Sequence, residues 1–410
     1  MTRTTKLLLA NLFVGLLILF SACSVDISQT QLAPTKPPAT PTQPPTATLT
    51  STAVPPAPIP TATQPGDPTL TPTLTVSPTP TFAFQSITSP EFAMNVLPES
   101  ANLNVHGRLL FLSTFEGGQA LLAFDLATGE LSTLFIAPPK AWILAQSVSP
   151  DVSEILIAYA PPPPEEKPSY GYTDLYVLNS DDPNNPQLVF QRTDDVEAFF
   201  GSLFSPAGDT IYYSHFFADS TAASGFRYNI NRIAYPDGSP EVVVEDAFWQ
   251  RLSPDGSKLA YVTFDGRDFD ELFVTNADGS DPVRALNPDE FPTVDAPFFS
   301  PDNQFLYFSA ISGEPTPLAW WEKLMGVQIA LARSAAHNVP SDFWRVSLTD
   351  GSVIQVTHLM DQGMFGTFSP DGELIAFISA TGLYVMQPDG TGLVQVLASS
   401  SLYGNLEWIP

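Results

Sequence analysis

The chain has 410 residues, with 43 acidic and 16 basic side chains and a formal charge of −27 at pH 7. That length exceeds one average domain and asks for several domains or a repeat fold. The acidity repels nucleic acid and anionic lipid headgroups, and it leaves a basic partner or a metal ion as the complementary ligand. One cysteine and four scattered histidines (His106, His215, His337, His358) exclude a disulfide framework and argue against a Cys/His zinc site.

Residues 1–23 read MTRTTKLLLANLFVGLLILFSAC. Arg3 and Lys6 form a positive start, and Leu7 to Phe20 is an apolar run shorter than the ~20 residues of a comfortable span. Small Ser21 and Ala22 then precede Cys23, the only cysteine. This resembles a bacterial lipoprotein signal, which implies that Cys23 becomes the lipidated mature N-terminus. Phe20 departs from the usual leucine, with Leu19 one place earlier. The competing reading is an ordinary cleaved signal, or an uncleaved anchor, with Cys23 incidental. A lone cysteine at that place favours lipidation. Acyl chains supply ~0.8 kcal/mol per buried CH₂, so a multiply acylated cysteine holds a protein on a membrane. Either reading exports the rest. The expected location is therefore extracytoplasmic and membrane-anchored, facing the periplasm or the cell surface.

Residues 24–90 are rich in Pro and Thr and nearly free of charge. Proline removes backbone donors, and too little apolar surface remains to offset ordering entropy. A disordered stalk is expected, reaching on the order of 100–150 Å as polyproline II. The acidity lies beyond it: the later part of the chain holds 41 of the 43 acids and 13 of the 16 bases.

From about residue 91 a repeat takes over. An apolar residue followed by Ser-Pro occurs at Ser149, Ser205, Ser253, Ser300 and Ser369, mostly continuing to Asp. Each copy precedes an apolar run such as KLAYVT or FLYFSA. A second word, an apolar strand ending in Asp-Gly or an equivalent, occurs six times, as in LLAFDLATG, LFVTNADG and LYVMQPDG. A further short strand follows. Asp-Gly pairs between such runs are hairpin turns, because glycine takes positive φ without steric cost. Six units of four antiparallel strands form a β-propeller, in which radial repetition protects sheet edges.

These words resemble the TolB-like or PD40 (WD40-like) propeller repeat, in which Ser-Pro-Asp-Gly joins the two inner strands. The resemblance covers about 100–410 and implies an all-β, six-bladed propeller acting in protein interaction. Members of that family carry an N-terminal α/β domain that has no counterpart here, so only the fold and the interaction theme carry over. In the first unit, His106-Gly107 aligns with Asp255-Gly256, and the terminal Trp408-Ile409-Pro410 aligns with Phe-Ser-Pro. The C-terminus is thus expected to supply the innermost strand of blade 1, with 102–105 as the competitor.

The Ser-Pro-Asp-Gly and Asp-Gly turns fall on one face of a propeller. Loops between strands b and c, and from d to the next a, fall on the other. The large insertions at 160–174, 216–229 and 311–342 all belong to that second face, where binding residues tend to sit. Within the third, 317–337 is expected to be a helix inserted in blade 5, with Trp320, Leu324, Val327 and Leu331 on one face. Trp320 and Trp321 are candidates for a binding surface, against the plainer reading that they pack on the propeller. The d–a loops carry Asp194, Asp195 and Glu197, then Glu245 and Asp246, then Asp289, Glu290 and Asp295, then Asp361. Clustered carboxylates suit Ca²⁺ or a cationic partner, against the plainer reading that they solvate loops and cap turns. No EF-hand-type loop supports calcium, and no cofactor is expected.

The chain has no Gly-x-Ser-x-Gly, P-loop, dinucleotide fingerprint or HExxH. Some TolB-like propellers are polysaccharide lyases using a His-bound metal, whereas the histidines here fall in unrelated parts of the repeat. The expectation is a monomeric, non-catalytic module taking a protein, peptide or glycan. The alternative is a metal-dependent lyase or hydrolase.

Overall fold

The computed structural model describes residues 105–410, except 165–171, 181, 223, 265–268, 288–289, 292 and 312–339, together with residues 82, 85–86, 92 and 94–97. Cys23, Trp320, Trp321, Asp289 and the expected 317–337 helix lie outside the described residues. Six antiparallel sheets form the domain. Blade 4 shows the pattern: Ala247–Leu252 innermost, then Lys258–Phe264, Phe269–Asn276 and the short outer Val283–Arg284. Consecutive inner strands touch around the ring, and the C-terminal strand contacts the inner strands of blades 2 and 6. The expected six-bladed propeller is therefore what forms.

The middle strands read as nearly continuous apolar runs because each sheet packs against a neighbour on both sides. Leu109, Leu110, Phe111 and Leu112 are consecutive and fully buried, alternating between two cores. Six apolar clusters result, and each fills one space between neighbouring blades. A buried Leu or Phe contributes about 1.5–3 kcal/mol, so cohesion comes mainly from these interfaces.

Ring closure follows the C-terminal route. Leu402–Ile409 pairs with Arg108–Phe115, Trp408 standing opposite Leu109 and Ile409 opposite Arg108. The Trp408 indole N–H donates to the His106 carbonyl at 3.2 Å. Gly107 has φ +100°, and a Cβ there would lie 2.5 Å from the Ile409 carbonyl oxygen, so the seam requires glycine.

Two strands were not expected. Gln85–Ser86 pairs with the outer strand of blade 1 (Leu131–Ile136), and Asn95–Val96 with the outer strand of blade 6 (Val394–Ala398). Phe82 is buried in the core between blades 1 and 2, and Phe92 in the core between blades 1 and 6. Pairing therefore begins upstream of residue 91, inside the segment read as stalk.

Candidate functional site

The two faces differ in how fully their polar groups are satisfied. On the turn face, the Ser149, Ser253, Ser300 and Ser369 hydroxyls donate to Asp151, Asp255, Asp302 and Asp371 at 2.5–2.7 Å. Each serine oxygen accepts the backbone N–H five residues on, as from Lys258 at 2.9 Å. In blade 3, where Ala207 stands at the aspartate position, Asp209 takes over at 3.0 Å from Ser205. The hydroxyls, foremost, hold these aspartates below the usual carboxylate range, Asp255 down to about 2. The turns also touch. A Cβ on Gly256 would meet Pro206 of the preceding turn at 3.4 Å, and Gly208 meets Pro150 in the same way. This face is a self-satisfied architectural ring.

The opposite face is irregular. Strands b and c are joined by tight hairpins in blades 1 and 6 (Phe115–Gly118 and Ser379–Gly382) and by longer connections in blades 2, 3 and 5. A second repeated device anchors its d–a loops, and the sequence did not reveal it. Four blades place a polar acceptor in the first half of strand c, reaching a backbone N–H beyond the outer strand. Gln119 accepts from Ile143 at 2.7 Å and Asp174 from Arg192 at 2.8 Å. Asn229 accepts from Asp246 at 3.3 Å and Asp342 from Leu359 at 2.6 Å. Asp174 is buried. Burial raises its carboxyl above the ordinary value against the opposing pull of Arg192, whose guanidinium lies 3.1 Å away.

Four of the expected acidic candidates, Asp194, Glu197, Glu290 and Asp361, cap their own loops. Asp194 accepts from the Val196 N–H at 3.1 Å, and Glu197 accepts from the Thr193 N–H at 2.8 Å and the Asp194 N–H at 3.2 Å. Asp195 is exposed in the same loop. Glu245 ends an outer strand, and Asp246 lies 3.7 Å from the Arg227 guanidinium. Glu290 accepts from Asn287 at 3.1 Å. Asp361 accepts from Ser379 at 2.6 Å and Thr381 at 2.5 Å. Asp295 departs from its expected loop position: it is the second residue of the inner strand Val294–Phe299 and fully buried. Among the described residues no three His, Cys, Asp or Glu side chains group as a metal site. His215 lies 3.7 Å from Glu197, and burial, foremost, lowers its pKa, so the imidazole is neutral at pH 7.

What the structure brings together instead is aromatic. The blade 3 b–c hairpin carries Phe216, Phe226 and Tyr228, with mutual ring distances of 5.3–5.7 Å. Tyr228 meets Phe200 at 5.8 Å and Phe248 at 5.5 Å, and Phe248 meets Trp249 at 4.5 Å. All but Phe248 keep partial exposure. This run leads from the hairpin to the central channel. There a void of about 20 Å³, room for about one water, has Gly201, Trp249, Arg251, Ala296, Phe365 and Asn405 among its lining residues. Five of these six hold one register, four residues before the turn serine or its C-terminal equivalent, Ile409. A β-bulge at this level bends the inner strands, and Trp249 (φ +52°) and Ala296 (φ +46°) sit in the left-handed region that Gly201 occupies in blade 3. The words FFADS and GFRYN carried the aromatic signal, but only the hairpin register shows that they converge.

Among solved structures, TolB from Acinetobacter baumannii superposes on 74% of this chain and 67% of its own, with TM-score 0.52 and 14% identity. A putative TolB from Agrobacterium tumefaciens matches over 75% of this chain and all of its own, with TM-score 0.51 and 18% identity. An oligogalacturonate lyase in complex with manganese is more distant, with TM-score 0.46 and 13% identity over 77% of this chain and 84% of its own. No family model matches the sequence, and no curated protein matches it. The shared property is the fold, a TolB-like six-bladed propeller.

Proposed function

We propose that this chain is an exported, lipid-anchored propeller acting as a non-catalytic binding module at the cell envelope, taking a protein, peptide or glycan on the face built from its b–c and d–a loops. One observation carries the reading: the aromatic run Phe226–Tyr228–Phe248–Trp249 joins that face to the channel, while the opposite face consumes its polar groups in its own turns. Aromatic rings with partial exposure supply contact area at low entropic cost, as binding surfaces do. The acidic side chains support binding rather than metal chemistry, because several bond their own loops and, among the described residues, no three converge. The net negative charge favours a partner of positive or neutral surface.

Crosslinking in intact cells tests it with four forms: wild type, Phe216→Ala/Phe226→Ala, a deletion of 316–338, and the turn-face control Asp278→Asn. The expected result is a defined partner captured by wild type and the control and lost with the aromatic variant. Equal capture by all four forms overturns the face assignment. The anchor is tested by incorporation of labelled palmitate, which Cys23→Ser should abolish.

A further inference from the structure

The blade 3 hairpin outgrows the sheet that carries it. Strand b (Thr210–Ala218) and strand c (Phe226–Ala234) pair along their whole length, from Thr210 opposite Ala234 to Ala218 opposite Phe226. The inner strand accompanies them only as far as Phe216, which stands opposite Ala198. The outer strand goes only as far as Asn229, which stands opposite Glu245. The end of the hairpin is therefore a two-stranded ribbon reaching past its flanking strands. Phe216 pairs with Tyr228 and Ala218 with Phe226, so the three rings share one face of the ribbon. They are tilted against one another by 47°, 54° and 90°, and all three keep partial exposure. Carboxylates flank the ribbon: Asp219 directly follows strand b, and exposed Glu245 ends the outer strand, with Asp246 next to it. Arg227 already bridges Asp219 at 3.1 Å and Asp246 at 3.7 Å, which leaves three carboxylates to one guanidinium.

We propose that this ribbon docks a lysine- or arginine-bearing peptide segment of a partner protein, its cationic side chains lying over the rings with their charged ends toward Asp219, Glu245 and Asp246. This narrows the loop-face reading, on which it rests, to one class of partner. A cation is drawn to the face of an aromatic ring, and a long alkyl stem covers apolar surface while its charged end stays in water. The chain makes the same contact with its own side chains, Arg345 over Phe305 at 4.8 Å and Arg284 over Phe273 at 5.7 Å. Charge selects the sign. The part of the chain beyond the stalk holds 41 acids and 13 bases, and such a field steers cations toward an exposed apolar surface and anions away from it. A neutral oligosaccharide would leave the carboxylate excess unused. It stacks on flat ring faces, and rings tilted by 47° or more offer it no common plane, whereas flexible lysine and arginine stems follow the tilt.

Calorimetric titration of the detergent-solubilised full chain tests this, with hexa-arginine, hexa-lysine, hexa-glutamate and cellohexaose as probes. The two cationic peptides should bind, more weakly as salt is added, and the other two should not. Phe216→Ala/Phe226→Ala and Glu245→Gln/Asp246→Asn should each weaken hexa-arginine binding tenfold or more. Phe216→Tyr/Phe226→Tyr, which keeps the ring faces and guards against misfolding, should retain most of it. Asp278→Asn/Asp350→Asn, which removes as many charges from the turn face, should leave it unchanged. Hexa-arginine binding that survives loss of the rings is general attraction to an acidic chain and overturns the proposal. So does cellohexaose binding more tightly than hexa-arginine, or no binding of either cationic peptide. The loop-face reading fails separately: a crosslinked partner lost with Phe216→Ala/Phe226→Ala while the cationic peptides do not bind overturns the cationic class alone.

Discussion

Asp342 offers the sharpest test of the strand-c acceptors. Its fully buried carboxylate accepts from the Leu359 N–H at 2.6 Å, the Met360 N–H at 3.3 Å, the Thr357 hydroxyl at 2.8 Å and the Gln355 amide at 3.2 Å. In Asp342→Ala, Gln355 keeps its bond to the Thr357 carbonyl, and the Thr357 hydroxyl still accepts from the Phe343 N–H. The Leu359 and Met360 amides are left without this acceptor. Each orphaned donor costs about 1–3 kcal/mol, and partial exposure of that loop favours the lower end, so about 2–4 kcal/mol is expected. Roughly 300 ordered residues at ~2.1 cal/mol/K each give an unfolding entropy near 0.6 kcal/mol/K, hence a fall in Tm of about 3–6 °C. Calorimetry reads the shift, and hydrogen exchange should show faster exchange at Leu359 and Met360 specifically. Asp342→Asn, which keeps one acceptor oxygen, should lose about half as much. A Tm within 1 °C of wild type, with unchanged exchange at those amides, would refute the anchoring role.

Gly256→Ala should destabilise by about 1–2 kcal/mol, read as a lower urea midpoint, because φ +72° disfavours a Cβ and its neighbour Pro206 stands at 3.4 Å. The turn aspartates have depressed folded pKa values, so their stabilisation is complete above about pH 4 and is lost as pH falls toward Asp255's value of about 2. Removing the leading cause with Ser253→Ala should raise that value and move the start of acid loss upward in a circular-dichroism titration. Glu407 has the opposite sign. Burial pushes its carboxyl up from 4.5 to about 7, with Arg251 and Ser147 opposing, so stability falls as pH rises through that window. In Glu407→Gln the difference in denaturation midpoint between pH 5 and pH 8 should shrink.

The blade register was legible because the turn words demand particular residues: serine and aspartate for the bonded loop, glycine for positive φ. Val152 (φ +59°) and Asn303 (φ +58°) at the glycine position show that position rather than identity is what repeats. The acceptors Gln119, Asp174, Asn229 and Asp342 escaped notice for the converse reason. They share only an oxygen in the first half of a strand, and three residue types provide it. Loop acids are legible as charges, but whether a carboxylate turns outward or back onto its own amide depends on φ and ψ, which composition does not carry. Two-residue strands such as Gln85–Ser86 are too short to show periodicity at all.

Those two short strands make the ring a doubly fastened object. The C-terminal strand zips it from the hub, and the segment from Phe82 to Leu97 buttons the two blades beside that seam from the rim. A pull from upstream would reach the rim first. It would load Phe82 and the Gln85–Ser86 pair before any strand that closes the circle, so a two-residue ladder would act as the weak link that spares the seam.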